Sequence, residues 1–177
     1  LSDAQVADML RPKMAGTLVL ERLVQVDGMD FLVLFSSTTA LLGASGLAHY
    51  AAANAFLDAT ASRARAQGRP LLSVNWGTWD AMRLASAQDQ QEFRQAGLEP
   101  MASAEALDAM ARLLAASASN GVVARVDWPQ LKAVHEARRP RPLLRHLGHT
   151  PAPGSAAATG ARAARAEDSA ASALAQR

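Results

Sequence analysis

The amino-acid sequence predicts an α/β protein with a parallel sheet and flanking helices. Two observations carry that expectation. Residues 31–35, 71–76 and 121–126 are short, largely apolar runs of strand length. The segments between them are longer and carry helical spacing or helix-favouring composition. Strand, helix, strand, helices, strand is the order of βαβ units, whose strands run parallel.

Each element has its own signal. Ser2-Asp3-Ala4-Gln5 reads as a capping box opening a short helix. Pro12 is expected to interrupt it, because proline lacks an N–H and belongs in a first turn. A second helix is then expected over residues 12–26, with Met14, Leu18, Val19, Leu23 and Val26 at helical spacing. The run at 31–35 lies between Asp27-Gly28 and Ser36-Ser37 and reads as a strand buried on both faces. An alanine-rich helix is expected over residues 47–67, closed by Gly68. Further helices are expected at 87–96 and 103–117. From Pro151 on, the larger apolar residues almost vanish, and 12 of the last 27 residues are alanine. That composition predicts a flexible linker.

Composition excludes several function classes. The chain has 177 residues, enough for one domain with a tail. Half of it is hydrophobic, but 41 residues are alanine, so the larger apolar side chains suffice for one core. There is no cysteine, which excludes a disulfide framework, a thiolate metal site and a thiol nucleophile. No metal is expected. A net charge of +2 gives little support to nucleic-acid binding. Arg138, Arg139, Arg141 and Arg145 cluster without interleaved aromatics, which reads as a solvated face or a dock for an acidic carrier protein. No apolar run approaches the ~18 residues of a membrane span, and no signal-peptide pattern opens the chain. A cytoplasmic setting fits. The first residue is Leu, so a piece of a longer polypeptide is expected.

The chemistry gathers at strand and helix ends. Ser36 and Ser37 close the first strand, at the sheet edge where open α/β folds bind ligands. Tyr50, the only tyrosine, lies thirteen residues on, and Asn54 follows at i+4 on the same helical face. Lys13 lies on the preceding helix. Taken singly, each has a plain alternative: a surface tyrosine, a turn serine, a solvated lysine, an asparagine that kinks a helix. Together they suit proton transfer to a carbonyl. A nearby ammonium favours ionisation of a phenol, a serine hydroxyl can hold a carbonyl oxygen, and an amide can extend a proton relay.

Lys13, Phe35-Ser36-Ser37, Tyr50-Ala51-Ala52-Ala53-Asn54-Ala55-Phe56-Leu57-Asp58 and Asn75-Trp76-Gly77-Thr78-Trp79 closely resemble the ketoreductase domain of modular type I polyketide synthases. That family is a branch of the short-chain dehydrogenases/reductases. Val126-Asp127-Trp128 and Arg141-Pro142-Leu143-Leu144 resemble the end of such domains. Most of the superfamily carries Lys four residues after the Tyr. This branch carries Asn there, as here, with its Lys upstream. The resemblance implies a partial Rossmann-like sheet, the C-terminal part of the catalytic half, over residues 1–148. Residues 149–177 would be a linker toward a carrier domain. It implies reduction of the β-keto group of a carrier-bound β-ketoacyl thioester with NADPH. Tyr50 would donate the proton, Ser37 would orient the carbonyl, and Asn54 would serve the relay. Lys13 would hold the nicotinamide ribose and assist Tyr50. Ser36, Trp76 and Gly77 would join Lys13 and Tyr50 around the cofactor. The implied partners are the N-terminal half of the domain and an acyl carrier protein with its phosphopantetheine-tethered substrate.

Some expected features are missing. Gly43-Ala44-Ser45-Gly46 is not the G-x-G-x-x-G phosphate loop, and it follows the serine strand. That loop would lie upstream of Leu1. One stereochemical class in this family has Trp eight residues before the Tyr, where this chain has Leu42. His49 points about 100° from Tyr50 on a helix and is expected to line the substrate side or solvent. The segment from Asp80 through Leu98 reads either as a lid or as a plain surface helix. Two other functions compete: a truncated or non-catalytic remnant with a structural or docking role, and a stand-alone dehydrogenase, which the linker-like tail disfavours.

Overall fold

The computed structural model describes residues 2–23, 29–81 and 86–148. The chain forms two units, Leu1–Pro140 and Arg141–Arg177. In the described part of the second, Pro142–Leu144 makes a single 3-10 turn. The expected linker at 149–177, the helix end near Val26, the Asp27-Gly28 boundary and Met82 all lie outside the described residues.

The first unit holds a parallel sheet. Strand β1 is Leu32–Ser37, β2 is Leu71–Trp76 and β4 is Asn120–Val123, in the order β1-β2-β4. The register sets Leu32 against Leu71, Ser36 against Asn75, and Trp76 against Val123. All six residues of the central β2 are buried. Its alternation divides the core. Leu72, Val74 and Trp76 pack with Met101, Ala106 and Val123 on one face, while Leu71 packs with Leu34, Leu57, Ala61 and Ala64 on the other. The second face is covered by α3 (Ala48–Ala66), whose buried Ala53, Ala61 and Ala64 let the helix approach closely. Helix α5 (Ser103–Ala115) covers the first face.

Three sequence expectations are corrected. The first helix does not break at Pro12: α1 is continuous over Asp3–Leu23. Its capping box is present, with Ser2 Oγ accepting from Gln5 N at 3.3 Å and Gln5 Oε1 accepting from Ser2 N at 2.8 Å. An interior proline costs about 3 kcal/mol. Tertiary contacts of α1 with α3 offset it, through Lys13, buried Thr17 and buried Glu21. The run at 31–35 is not buried on both faces. Phe31 and Phe35 are about half exposed, and β1 pairs with β2 alone among the described residues. The run at 121–126 is not one strand. It ends as β4 at Val123, resumes past Ala124 as β5 (Arg125–Val126), and pairs there antiparallel with β3 (Leu98–Glu99).

Two helices went unpredicted. Helix α2 (Thr39–Leu42) is a single turn after β1. Helix α6 (Trp128–His135) is capped by Asp127, whose carboxylate accepts from Gln130 N at 3.0 Å, with Pro129 in its first turn. Helix α4 (Ala87–Gln95) starts on a capping box of Ser86 and Asp89. Gly97 follows it at φ 83°, where an added Cβ would lie 2.5 Å from the Leu131 nitrogen. Among the described residues, no helix is long and apolar enough to cross a membrane.

Candidate active site

The C-terminal ends of β1 and β2 open onto a cleft of about 460 Å3. Parallel sheets bind ligands at this edge, because strand ends and helix starts converge there. Lys13, Phe35, Ser37, Tyr50, Trp76, Gly77, Thr78, Trp79, Phe93 and Leu98 are among its lining residues.

Lys13 is held at the centre of the polar part. Its ammonium donates to the Phe35 carbonyl at 2.8 Å and to Asn54 Oδ1 at 2.6 Å. Its Nζ lies 5.5 Å from the centroid of the Tyr50 ring, within cation–π range. Burial pulls the Lys13 ammonium below the usual lysine range, and the Asp58 carboxylate acts in the opposite direction. Two of its three N–H groups are thereby used, and among the described residues the third has no hydrogen-bond acceptor.

Asn54 is fully buried on α3. Its Oδ1 receives Lys13 and its Nδ2 donates back to the Tyr50 carbonyl at 2.8 Å. The i, i+4 spacing therefore does two things: it sets Tyr50 and Asn54 on one face, and it closes a side-chain bond along the helix. Tyr50 itself is 39% exposed, one turn nearer the cleft.

The two serines divide. Ser37 turns with the chain into α2, donating from Oγ to Thr39 Oγ1 at 3.1 Å and accepting from Thr39 N at 3.2 Å. Ser36 points into the protein, as alternation along a strand requires. Its Oγ donates to the Asn54 carbonyl at 3.2 Å and accepts from Asn75 Nδ2 at 2.8 Å.

The other wall is aromatic. Trp76 packs against Phe35 with ring centroids 5.3 Å apart and planes tilted by 40°, and meets Trp79 edge-on at 4.8 Å. Gly77 allows β2 to leave the sheet tightly, since a Cβ there would lie 2.8 Å from Ala124 Cβ. Trp76 Nε1 and Thr78 Oγ1 are buried without a hydrogen-bond partner among the described residues. Such groups are costly unless something else satisfies them. In the described part of the segment 80–98, Phe93 and Leu98 line the cleft.

The fold thus gathers Lys13, Ser36, Ser37, Tyr50, Trp76 and Gly77 around one space, with Asn54 buried behind Lys13. His49 is not among the lining residues, and Gly43 and Gly46 lie in the turn between α2 and α3. Arg138 and Arg139 belong to the first unit, Arg141 and Arg145 to the second. Thr78 stood in the Asn75–Trp79 motif without a role of its own. Asp58 and Asn75 stood in the quoted motifs without a role. Asp58 lies at i+8 from Tyr50, hence on the same helical face.

The KR domain family matches residues 1–81. Polyketide synthase GfsA of Streptomyces halstedii is 40% identical over 149 residues, which are 84% of this chain and 2% of that protein. Erythronolide synthase EryA3 of Saccharopolyspora erythraea is 40% identical over 153 residues, 86% of this chain and 5% of that protein. The ketoreductase from the first module of phoslactomycin biosynthesis in Streptomyces sp. HK803 superposes with a TM-score of 0.76 at 36% identity. The match covers 84% of this chain and 36% of that one. The parallel sheet with flanking helices is therefore the Rossmann-like sheet of such reductases, in part.

Proposed function

Because the chain belongs to the ketoreductase-domain family of modular polyketide synthases, we propose that it supplies the catalytic wall of an NADPH-dependent β-ketoacyl reductase. The substrate is a β-ketoacyl thioester on a carrier protein's phosphopantetheine arm, and the product is the β-hydroxyl. A cytoplasmic setting and a linker at 149–177 belong to this reading. The observation that carries it is the placement of Lys13 Nζ between the Asn54 amide and the Tyr50 ring, on a cleft that Ser37 also borders.

The donor set fits a nicotinamide nucleotide. Lys13 keeps one N–H for a ribose hydroxyl, and the unpartnered Thr78 Oγ1 and Trp76 Nε1 suit a polar ligand group beside an aromatic wall. When bound, the nicotinamide supplies the hydride. Tyr50 gives its phenolic proton to the carbonyl oxygen, and Ser37 donates a hydrogen bond to that oxygen once its bond to Thr39 is exchanged. Lys13 stabilises the phenolate left behind, and Asn54 fixes Lys13. The Ser36 hydroxyl is already committed on both sides, so its part in cofactor binding is to hold the strand end. The whole reaction adds one hydride and one proton to the ketone.

The chain spans about a third of the solved ketoreductase it resembles. Its β1 has an open edge among the described residues, and α1 exposes Val19, Leu20 and Leu23. The proposed reductase is thus assembled with the N-terminal portion of such a domain, which brings the phosphate loop. A complete domain containing these residues should oxidise NADPH on adding a β-ketoacyl thioester. No consumption above background would refute the reading and favour a non-catalytic remnant.

A further inference from the structure

Asp58, Ser73 and Asn75, which have no role above, form a polar cluster behind the cleft that reaches Ser36. Asp58 is half-buried on α3, two turns below Tyr50. Its Oδ1 accepts from Ser73 Oγ at 2.6 Å and its Oδ2 from Asn75 Nδ2 at 2.8 Å. Ser73 and Asn75 are buried on the β2 face that meets α3. The same Asn75 amide donates to Ser36 Oγ at 2.8 Å and reaches the Ser37 carbonyl at 3.3 Å. Ser36 Oγ closes the circuit by donating to the Asn54 carbonyl.

We infer that Asp58 and Asn75 are positioning residues for the reaction, a clamp that fixes the roll and height of α3 against the strand end bearing Ser37. This rests on the reductase reading above. The physical basis is the asymmetry of the circuit. A carboxylate can only accept, so Asn75 must turn its amide nitrogen toward Asp58. That orientation presents the same nitrogen to Ser36, which must then donate onward to α3. The carboxylate therefore dictates the direction of each bond up to the helix that carries Tyr50 and Asn54. Hydrogen bonds to a charged group are the stronger kind, so the clamp is stiff at the Asp58 end. Misplacement of about 1 Å at reacting groups can cost on the order of 100-fold in rate.

Asp58 has a second effect. Among the described residues, α3 sets Asn54, Tyr50 and Asp58 against Lys13, and β1 sets the uncharged Phe35 carbonyl. The Asp58 carboxylate favours the charged form of Lys13 and opposes the larger effect of burial.

The experiment uses the complete reductase domain containing this chain, with Asp58→Asn and Asn75→Ala variants. Turnover of a β-ketoacyl thioester with NADPH is measured beside the NMR titration of Lys13 13Cε. Both variants should lose about tenfold or more in kcat, with KM for either substrate held within about threefold, because the defect is in geometry. Asp58→Asn should also move the Lys13 titration to lower pH, whereas Asn75→Ala should leave it in place. A kcat within about twofold of wild type in a folded variant, a loss confined to KM, or an unmoved Lys13 in Asp58→Asn overturns the inference. Should Asp58→Asn not fold, the kcat of Asn75→Ala decides. A wild-type domain without turnover refutes the reductase reading instead; urea unfolding then judges the clamp, and an unchanged midpoint in Asn75→Ala overturns it.

Discussion

Replacing Lys13 by Met in the complete domain removes an ammonium while keeping a flexible chain of similar length. In the structure that ammonium satisfies two acceptors, the Phe35 carbonyl and Asn54 Oδ1, and Asn54 is fully buried. An unsatisfied buried acceptor costs about 1–3 kcal/mol. The Phe35 carbonyl borders the cleft and can take a water, so the loss should come mainly from Asn54 and amount to about 2 kcal/mol. Some of this is returned, because Met avoids burying a charge. The pH dependence carries the clearer signature. Burial lowers the native Lys13 pKa, with Asp58 opposing, so the native state releases its proton at a pH where the unfolded chain still holds it. Stability therefore rises with pH through the window between the lowered native value and the ordinary lysine value. Lys13→Met should lack that rise. The charged form is the one that serves Tyr50, so wild-type turnover should fall as pH climbs through the lowered value. The variant should be slow throughout and bind NADPH more weakly. Urea unfolding at several pH values, NADPH titration and a kcat–pH profile check this. Wild-type stability, cofactor affinity and pH profile all preserved in Lys13→Met would refute the placement of Lys13 in the site.

Tyr50→Phe should keep the fold, since the ring and its contact with Lys13 remain, and should lower kcat about 10²–10⁴-fold; a loss under tenfold in a thioester reduction assay would exclude Tyr50 as proton donor. Glu21 is buried and bonded to Arg63 at 2.6 Å and to Arg69. Burial pushes its carboxyl up, but the Arg69 hydrogen bond and the two guanidinium charges outweigh that, and the net shift is downward. Its contribution is thus present above the unfolded carboxylate value and lost as pH falls through the lowered native one. Glu21→Gln should cost about 3 kcal/mol near neutrality, the low end for a broken buried pair because Arg63 is half exposed, and much less in acid; equal urea midpoints for variant and wild type at pH 7 would contradict it. The 177-residue chain alone should show no saturable NADPH fluorescence change, because the contacts that fix the nucleotide's phosphates are expected on the upstream portion; saturable binding would show the cofactor site to be complete within these residues.

What the sequence by itself determined is local. The apolar run at 71–76 became β2 with those bounds, since central strands in parallel sheets need continuous burial. The alanine-rich helix ended before Gly68 as its composition required. The i, i+4 relation put Tyr50 and Asn54 on one face, and the capping box at Ser2 started α1. Tertiary structure decided what depends on groups far apart in the chain. Pro12 argued for a break, and packing of α1 on α3 overruled it, because several long-range contacts outweigh one lost hydrogen bond. The turn at Ala124 was invisible, since a two-residue strand has no period and takes its pairing from Leu98 and Glu99. The bond from Lys13 to Asn54 spans 41 residues, and the bond from Asp58 to Asn75 joins a helix to a strand. Spacing along the chain cannot report such contacts. A helix fixes only its own periodicity, and which partner it meets is set by how the layers pack, where burial energy and hydrogen-bond satisfaction are summed over the whole core.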